Sequence, residues 1–411
     1  MVSAIVPLRR NRDFVLLQTG QALSTVGSEA AAVAYTLLVL SVTHSPAKAG
    51  LVGFVRLAPW PLLALPAGVA VDRWNRKHLM IVADVARVVA VGALGVAAAT
   101  GHVTFPLIAV VAFVEGAMYV LFNIAEIGAV RSVVASEQLP RAFATEQARL
   151  SSVYLAGPPL GGLLFGLGRS LPFIFDAISY AFSTGSLLAM RTPFQEEREA
   201  TAKTDLRAEV KEGLTWLWSH TFLRMCALLF AAGNFTWGAL ELTIIVAARR
   251  EGFHPFAIGA LIAVIGALSL AGSIAAPRFH GLLSMRTTII AASWLALGIG
   301  SYLAKPSVYV LLAGGAPSVF FGPTLNAMII GYRVRIVPDR LQGRVNSVAR
   351  SLALVALPLG PVVAGVLLGA FSARATVLFL FVWLVALAIV TTASRTIRAA
   401  PDFHATSVAV S

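Results

Sequence analysis

Charge is the scarcest commodity in this sequence. Asp, Glu, Lys and Arg together make up 12% of its 411 residues, about half the usual share of a soluble globular protein. A water-soluble fold of this length needs far more charge to cover its surface, so that class is excluded. Cysteine is nearly absent too. The one cysteine, Cys226, rules out an internal disulfide and, lying in an apolar run, reads as a small buried residue. Acidic residues are outnumbered, 19 against 32 basic ones. In a soluble protein the resulting charge of +13 would point to nucleic acid. Here the basic residues sit between apolar blocks, which excludes that partner.

Catalytic motifs are missing as well. No Gly-x-x-x-x-Gly-Lys-Ser/Thr loop cradles a phosphate. The seven histidines form no His-Glu-x-x-His or other metal spacing, and no nucleophile elbow is present. An enzyme is not expected, nor any catalytic residue, resident metal or cofactor.

What the chain has is apolar sequence: 58% hydrophobic residues and a mean hydropathy of +0.81. It comes in blocks of about 20, the length that crosses the hydrocarbon of a bilayer. Six blocks lie near 14–40, 47–71, 79–100, 104–127, 147–168 and 171–190, and six more near 221–247, 256–276, 285–304, 307–331, 346–370 and 374–394. The basic opening, Met1 to Asp13, precedes a run too long for a signal-peptide core, so the first run reads as a retained helix. With the N-terminus inside, 24 Lys and Arg fall on inner segments and helix ends and only six on outer loops. This bias predicts an even number of crossings with both termini cytoplasmic.

A polar stretch from Arg191 to His220 separates the two sets of six. Its first part is Gln195-Glu196-Glu197-Arg198-Glu199. Its second, Asp205 to Trp218, places Leu206, Val210, Leu214 and Leu217 at helical spacing and reads as an amphipathic surface connector. The division is therefore 1–190, a linker at 191–220, and 221–411. The halves echo each other. Asn123 and Gly128 match Asn326 and Gly331 at an offset of 203, and Gly157-Pro158 matches Gly360-Pro361 at the same offset. Glu137-Gln138-Leu139 matches Asp339-Arg340-Leu341 at 202. Such repeats suit a transporter whose substrate site lies between two bundles.

The loop after the second run reads Gly68-Val69-Ala70-Val71-Asp72-Arg73-Trp74-Asn75-Arg76-Lys77. It resembles the signature loop of the major facilitator superfamily. The fifth run carries Gly157-Pro158-Pro159-Leu160-Gly161-Gly162, similar to the antiporter motif of that superfamily's exporters. Thr43-His44-Ser45-Pro46, Leu139-Pro140-Arg141-Ala142, Phe173-Ile174-Phe175-Asp176-Ala177-Ile178-Ser179-Tyr180 and Val210-Lys211-Glu212-Gly213-Leu214 look like the branch containing enterobactin exporters and macrolide efflux pumps. The resemblance spans nearly the whole chain. It implies an all-α membrane protein of twelve helices in two pseudo-symmetric six-helix bundles, in a bacterial cytoplasmic membrane. It further implies proton-driven efflux of a drug, antibiotic or siderophore by a monomer, with Gly68, Asp72, Arg73, Arg76 and Lys77 as a cytoplasmic latch and Gly157, Pro158, Gly161 and Gly162 shaping helix packing. Import by the same fold and a non-transporting scaffold are the alternatives. One departure stands out: the arginine that many drug–proton antiporters carry in the fourth helix is Ala112 here, so coupling must rest on other residues.

Each charge in the hydrocarbon costs at least about 2.5–3.5 kcal/mol to insert. Those present are Glu29, Arg56, Asp84, Arg87, Glu115, Glu126 and Asp176. Glu29 and Arg56 lie at similar depth and could pair; Asp84 and Arg87 share a helical face. Glu29 and Glu115 are the candidates for proton coupling or cargo binding, as against static ion pairs. Asp176 reads as the holder of a helix end. The second half offers Asn234, Glu241 and Asn326, with Phe235, Trp237, Phe320 and Phe321 as apolar lining. This distribution suits a bulky amphipathic or cationic cargo.

Overall fold

A computed structural model describes residues 7–194, 206–280 and 282–400. The Glu-rich opening of the linker, Asp205 and the chain beyond residue 400 lie outside the described residues. Among the described residues twelve helices are long and apolar enough to cross a membrane: α1 Arg12–Thr43, α2 Pro46–Arg73, α3 Arg76–Thr100, α4 Phe105–Val133, α5 Ser136–Leu167, α6 Leu171–Ala189, α7 Thr221–Arg250, α8 Pro255–Phe279, α9 Met285–Ala304, α10 Val308–Ile336, α11 Asp339–Ala370 and α12 Ala373–Ala393. No strand occurs among the described residues.

Local chemistry sets the ends. Asn11 caps α1, its side chain accepting from the Phe14 amide, and Asp13 in the first turn suits the helix dipole. His44 closes α1 in the left-handed region at φ 53°, where a non-glycine residue is uncommon. Ser45 then caps α2, with Pro46 in the first turn. Asn75 caps α3, which ends at Gly101 with φ 77°.

Three helices are interrupted. Pro59 and Pro61 split α2 at Ala58, and α9 tightens into a 3-10 turn over Ala296–Gly300. In α11 the α-helix stops at Leu354 and resumes at Leu359. Pro358 has no amide to donate, and the Leu357 amide turns to Leu354 O instead of Ala353 O.

The chain forms two compact units. The first comprises Met1–Thr201 with Gly252–Ala263; the second comprises Ala202–Glu251 and Val264–Ser411. Inside a membrane, helices gain nothing from hiding apolar surface from lipid, so close approach depends on small residues. In the first unit α1 is central, packed on α5 and α6. Its face Gly20, Gln21, Ser24, Gly27 and Ser28 is buried. In the second unit α7 packs on α11.

The repeat read from sequence extends to helix boundaries. Both α4 and α10, and the 3-10 turns opening α5 (Ser136–Gln138) and α11 (Asp339–Leu341), begin and end at an offset of 203. These helices run past the apolar blocks: α5 starts before 147 and α11 before 346, because their first turns are polar extensions.

The connector helix, Leu206–Ser219, belongs to the second unit. Arg344 of α11 reaches Glu209 at 2.7 Å and pairs with Glu212 as well. Gly213 lets the helix approach the Arg344 backbone. Of the expected apolar stripe, Leu217 is buried at 1% exposure while Leu214 stays exposed at 42%. The helix is thus held by its charged and small residues as much as by its leucines.

Candidate functional site

The sixth helix carries the backbone of the site. Asp176, Ser179, Tyr180, Ser183 and Ser186 recur at spacings of three and four and are all buried, forming one polar stripe on a helical face. Opposite it on α1, Gly20 and Gly27 leave notches. A Cβ at Gly27 would come within 2.6 Å of Asp176 Oδ1, and one at Gly20 within 3.0 Å of Ser186 Cβ.

The charged residues of α2, α3 and α4 meet this stripe. Arg56 Nη2 donates to Glu115 Oε1 at 2.9 Å, and its Nε lies 3.4 Å from Oε2. The pair is forked, the geometry in which an arginine–carboxylate contact is strongest. Arg56 also donates to the Ser28 carbonyl at 3.3 Å and lies 5.6 Å from the Tyr35 ring centroid. On α3, Arg87 pairs with Asp84, and Ser183 Oγ donates to Asp84 Oδ2 at 2.6 Å. Gln21 Nε2 donates to Ser183 Oγ at 3.0 Å. The guanidinium of Arg87 sits 4.3 Å from the Tyr180 ring and 4.8 Å from the Phe122 ring, a favourable placement for a desolvated cation. Tyr180 joins the two pairs, its hydroxyl 2.8 Å from Ser28 Oγ and donating to Glu115 Oε1 at 3.5 Å. Five helices thus converge on one buried network.

Several expectations are revised by this arrangement. Arg56 makes its forked pair with Glu115, which on α4 reaches the same depth with its side chain turned toward α2. Glu29 is half-buried on α1 and faces α5: a Cβ at Gly157 would come within 2.5 Å of Glu29 Cβ. Asp176 lies in the second turn of its helix, close to the expected end. It is wholly buried against α1. A further buried cation was missed: Arg149 of α5 pairs with Glu126 of α4 at 3.1 Å, with side chains 8% and 6% exposed. Sequence reasoning also passed over Tyr180, Ser28, Ser183 and Gln21. Neutral hydroxyls are common in membrane helices, and only their three–four periodicity along α6 could have marked them.

The signature loop acts within the first unit through its basic pair. Lys77 Nζ donates to Met190 O at 2.7 Å, and Arg76 reaches Phe194 O at 3.5 Å. Both carbonyls follow α6, where a cation suits the dipole. Gly128 of α4 makes room for the Arg76 guanidinium, which a Cβ would approach to 2.8 Å. Asp72 and Arg73 are exposed, and Gly68 has open space around it. In α5, Gly157 and Gly161 lie against Glu29 and Ala30 of α1. Gly162 abuts the Pro255 carbonyl, and Pro158 offers its carbonyl to Gly259; both partners belong to the opening of α8 that groups with the first unit. The motif therefore packs backbone against backbone on two sides, as only glycine allows.

The remaining candidates lie elsewhere. Asn123 is half-buried on α4, about 12 Å along the axis from Glu115. In the second unit Asn234 donates to Ala353 O at 2.9 Å, the carbonyl left without its helical donor by the break in α11. Glu241 is half-buried on α7 and Asn326 exposed on α10. Phe320 and Phe321 pack on Phe279 at 6.2 and 5.0 Å, and Phe235 on Trp383 at 5.6 Å.

Comparison with known proteins agrees with this fold. The Multidrug efflux pump Tap of Mycolicibacterium fortuitum is 26% identical over 360 residues, covering 85% of this chain and 87% of the relative. Macrolide efflux protein A of Streptococcus pyogenes is 23% identical over 359 residues, covering 84% and 87%. Among solved structures, a bacterial homolog of the human lysosomal transporter Spinster superposes with a TM-score of 0.75 at 16% identity, covering 94% of this chain and 98% of that one. The nucleoside transporter NupG superposes at 0.73 with 11% identity, covering 94% and 99%. The profile of the Major Facilitator Superfamily matches residues 18–293. The chain is a multi-pass bacterial membrane protein and a transporter rather than an enzyme, and it belongs to the major facilitator superfamily.

Proposed function

We propose that this transporter exports small amphipathic molecules in exchange for protons across the bacterial cytoplasmic membrane, with both termini in the cytoplasm. It works as a monomer of two bundles, 1–190 and 221–411, joined by the linker at 191–220. The observation that carries the reading is the forked Arg56–Glu115 pair, buried at membrane depth and bonded into the Asp84–Arg87 network through Tyr180. A pair of this kind has two states. With Glu115 unclaimed it holds Arg56; with Glu115 engaged by a cationic cargo, or Arg56 drawn to another carboxylate that has lost its proton, the pair opens. Alternation between these states as the bundles rock would exchange a proton for cargo. The efflux names of the relatives and the glycine packing of α5 on α1 support export.

The test uses purified protein in liposomes. With an acidic lumen, protons leaving the vesicle drive an antiporter's cargo inward whatever the protein's orientation. A panel of a lipophilic cationic dye, a macrolide and a siderophore is offered, with protein-free vesicles and Asp72→Asn as controls. Accumulation that Asp72→Asn abolishes is expected. Accumulation only with an alkaline lumen would mean symport and import, and none in either direction would speak for a scaffold. Loss of a cationic but not a neutral cargo in Glu29→Gln and Glu115→Gln is the expected signature of carboxylate recognition.

A further inference from the structure

We infer that Asp176 is the carboxyl that binds and releases the coupled proton, an assignment that rests on the antiport reading above. The site holds two arginines, and each has a carboxylate of its own: Arg87 has Asp84 and Arg56 has Glu115. Asp176 is a third carboxylate in the same network, with 0% exposure. Its nearest donor, the Ser179 hydroxyl, lies 3.4 Å from Oδ1 and makes its shorter bond, 2.7 Å, to the Asp176 carbonyl. Oδ2 is buried with no hydrogen-bond partner among the described residues. The carboxyl fills the notch that Gly27 leaves on α1, so the packing is built around it.

The groups facing it are few. Gly27 and Tyr35 come from α1, Arg56 from α2, Arg87 from α3, Glu115 from α4, and Ser179 and Tyr180 from its own helix. Along residues 153–167, α5 offers no carboxylate and no cation. Protonated, Asp176 needs no counter-charge. Ionised, it must draw on one of two arginines already engaged. Proton release at Asp176 therefore competes with Glu115 for Arg56, whose side chain at 23% exposure is the looser of the two arginines. That competition links a proton to the Arg56–Glu115 pair without direct contact. In the proposed orientation α6 starts at the outer face, and Asp176 lies five residues in, about 8 Å along the axis. On that orientation it lies nearer the outer face than any other carboxylate of the network.

The test compares the full-length wild type with Asp176→Asn and Asp176→Glu in liposomes, using ethidium as the probe. Two transport modes are read: ethidium accumulation driven by an acidic lumen, with the accompanying proton flux, and ethidium exchange at equal pH on both sides. The infrared band of a protonated carboxyl is titrated alongside, with no cargo present. Asp176→Asn is expected to lose accumulation, proton flux and the titrating band while keeping exchange, and Asp176→Glu to restore both coupling and a shifted band. Retained accumulation with an unchanged band in Asp176→Asn would overturn the assignment and leave antiport standing. Loss of exchange with an unchanged band would reduce Asp176 to a packing residue. Failure of the wild type to accumulate ethidium would count against the antiport reading, and the band would still decide Asp176.

Discussion

The Arg56–Glu115 pair permits a quantitative test, because its two ends are buried unequally. Glu115 has a side chain 3% exposed, and with Arg56 gone it keeps the Tyr180 hydroxyl at 3.5 Å but no cation in its forked pair. Arg56→Gln strands a carboxylate in the bundle, a loss of about 3–5 kcal/mol. Glu115→Gln is milder. Arg56 is 23% exposed, keeps the Ser28 carbonyl at 3.3 Å and the Tyr35 ring at 5.6 Å, and can still donate to the new amide oxygen. The expected cost is about 1–3 kcal/mol. The double variant R56M/E115L removes both charges, and such replacements are near neutral or stabilising by about 1–4 kcal/mol. Reversible unfolding in mixed micelles with rising dodecyl sulfate, followed by tryptophan fluorescence, measures all three. The expected order is Arg56→Gln least stable, Glu115→Gln intermediate, and R56M/E115L close to wild type yet without gradient-driven transport. An Arg56→Gln variant no less stable than Glu115→Gln would refute the unequal burial on which this order rests. An R56M/E115L variant that transports normally would remove it from the mechanism.

Other substitutions probe packing and the breaks. Gly161→Ala should push α1 off α5, destabilising by about 1–3 kcal/mol since its Cβ meets the Ala30 carbonyl; Gly68→Ala, with nothing within 4 Å, should leave the unfolding midpoint unchanged. Asn234→Leu leaves the Ala353 carbonyl without its donor, costing about 1–3 kcal/mol, and hydrogen exchange around 353–358 should quicken while that of α12 does not. Arg344→Gln removes the connector helix's pairs from Glu209 and Glu212 to Arg344 and leaves Arg340–Glu212 at 3.2 Å, so exchange over Leu206–Ser219 should speed up toward the rate the wild type reaches in high salt.

The fold was legible because the bilayer writes it into composition. Each crossing must be apolar over about 20 residues, so twelve blocks could be counted. What the count could not reveal were the polar extensions of α5 and α11, which leave the hydrocarbon, and the breaks at Ala58 and at 355–358, since a proline in a membrane helix does not say whether the helix bends or stops. The charged members of the site were legible for the same reason, each standing out against an apolar background. Their pairing was not. Whether Arg56 meets Glu29 or Glu115 depends on the rotation of α1, α2 and α4 about their axes, which hydropathy does not encode. Tyr180 and the serines of α6 were hidden in another way: a hydroxyl that bonds within its own helix and one that serves a neighbour look identical in sequence.

The comparison of the two halves bears on whether the charges matter for more than stability. Their helical plan agrees at an offset of 203 across α4 and α10, and so does their packing. Gly157 seats α5 on α1 at Glu29 and Ala30, as Gly360 seats α11 on α7 at Phe235 and Ala239. Their buried polar content does not agree. Among the described residues every buried charged side chain, Asp13, Asp84, Arg87, Glu115, Glu126 and Asp176, belongs to the first unit. The second unit buries threonines instead; Thr236, Thr243, Thr288, Thr376 and Thr391 each bond a carbonyl one turn back in their own helix or its cap, and Thr324 Oγ1, a neutral hydroxyl, has no partner among the described residues. That arrangement adds little cost. A buried charge adds at least about 2.5–3.5 kcal/mol on insertion. The same plan therefore packs well without buried charge, and the second unit is the internal control. Ion pairs that the architecture does not require, kept in one half against that cost and joined through Tyr180 and Ser28, are what a transport cycle needs and helix packing does not.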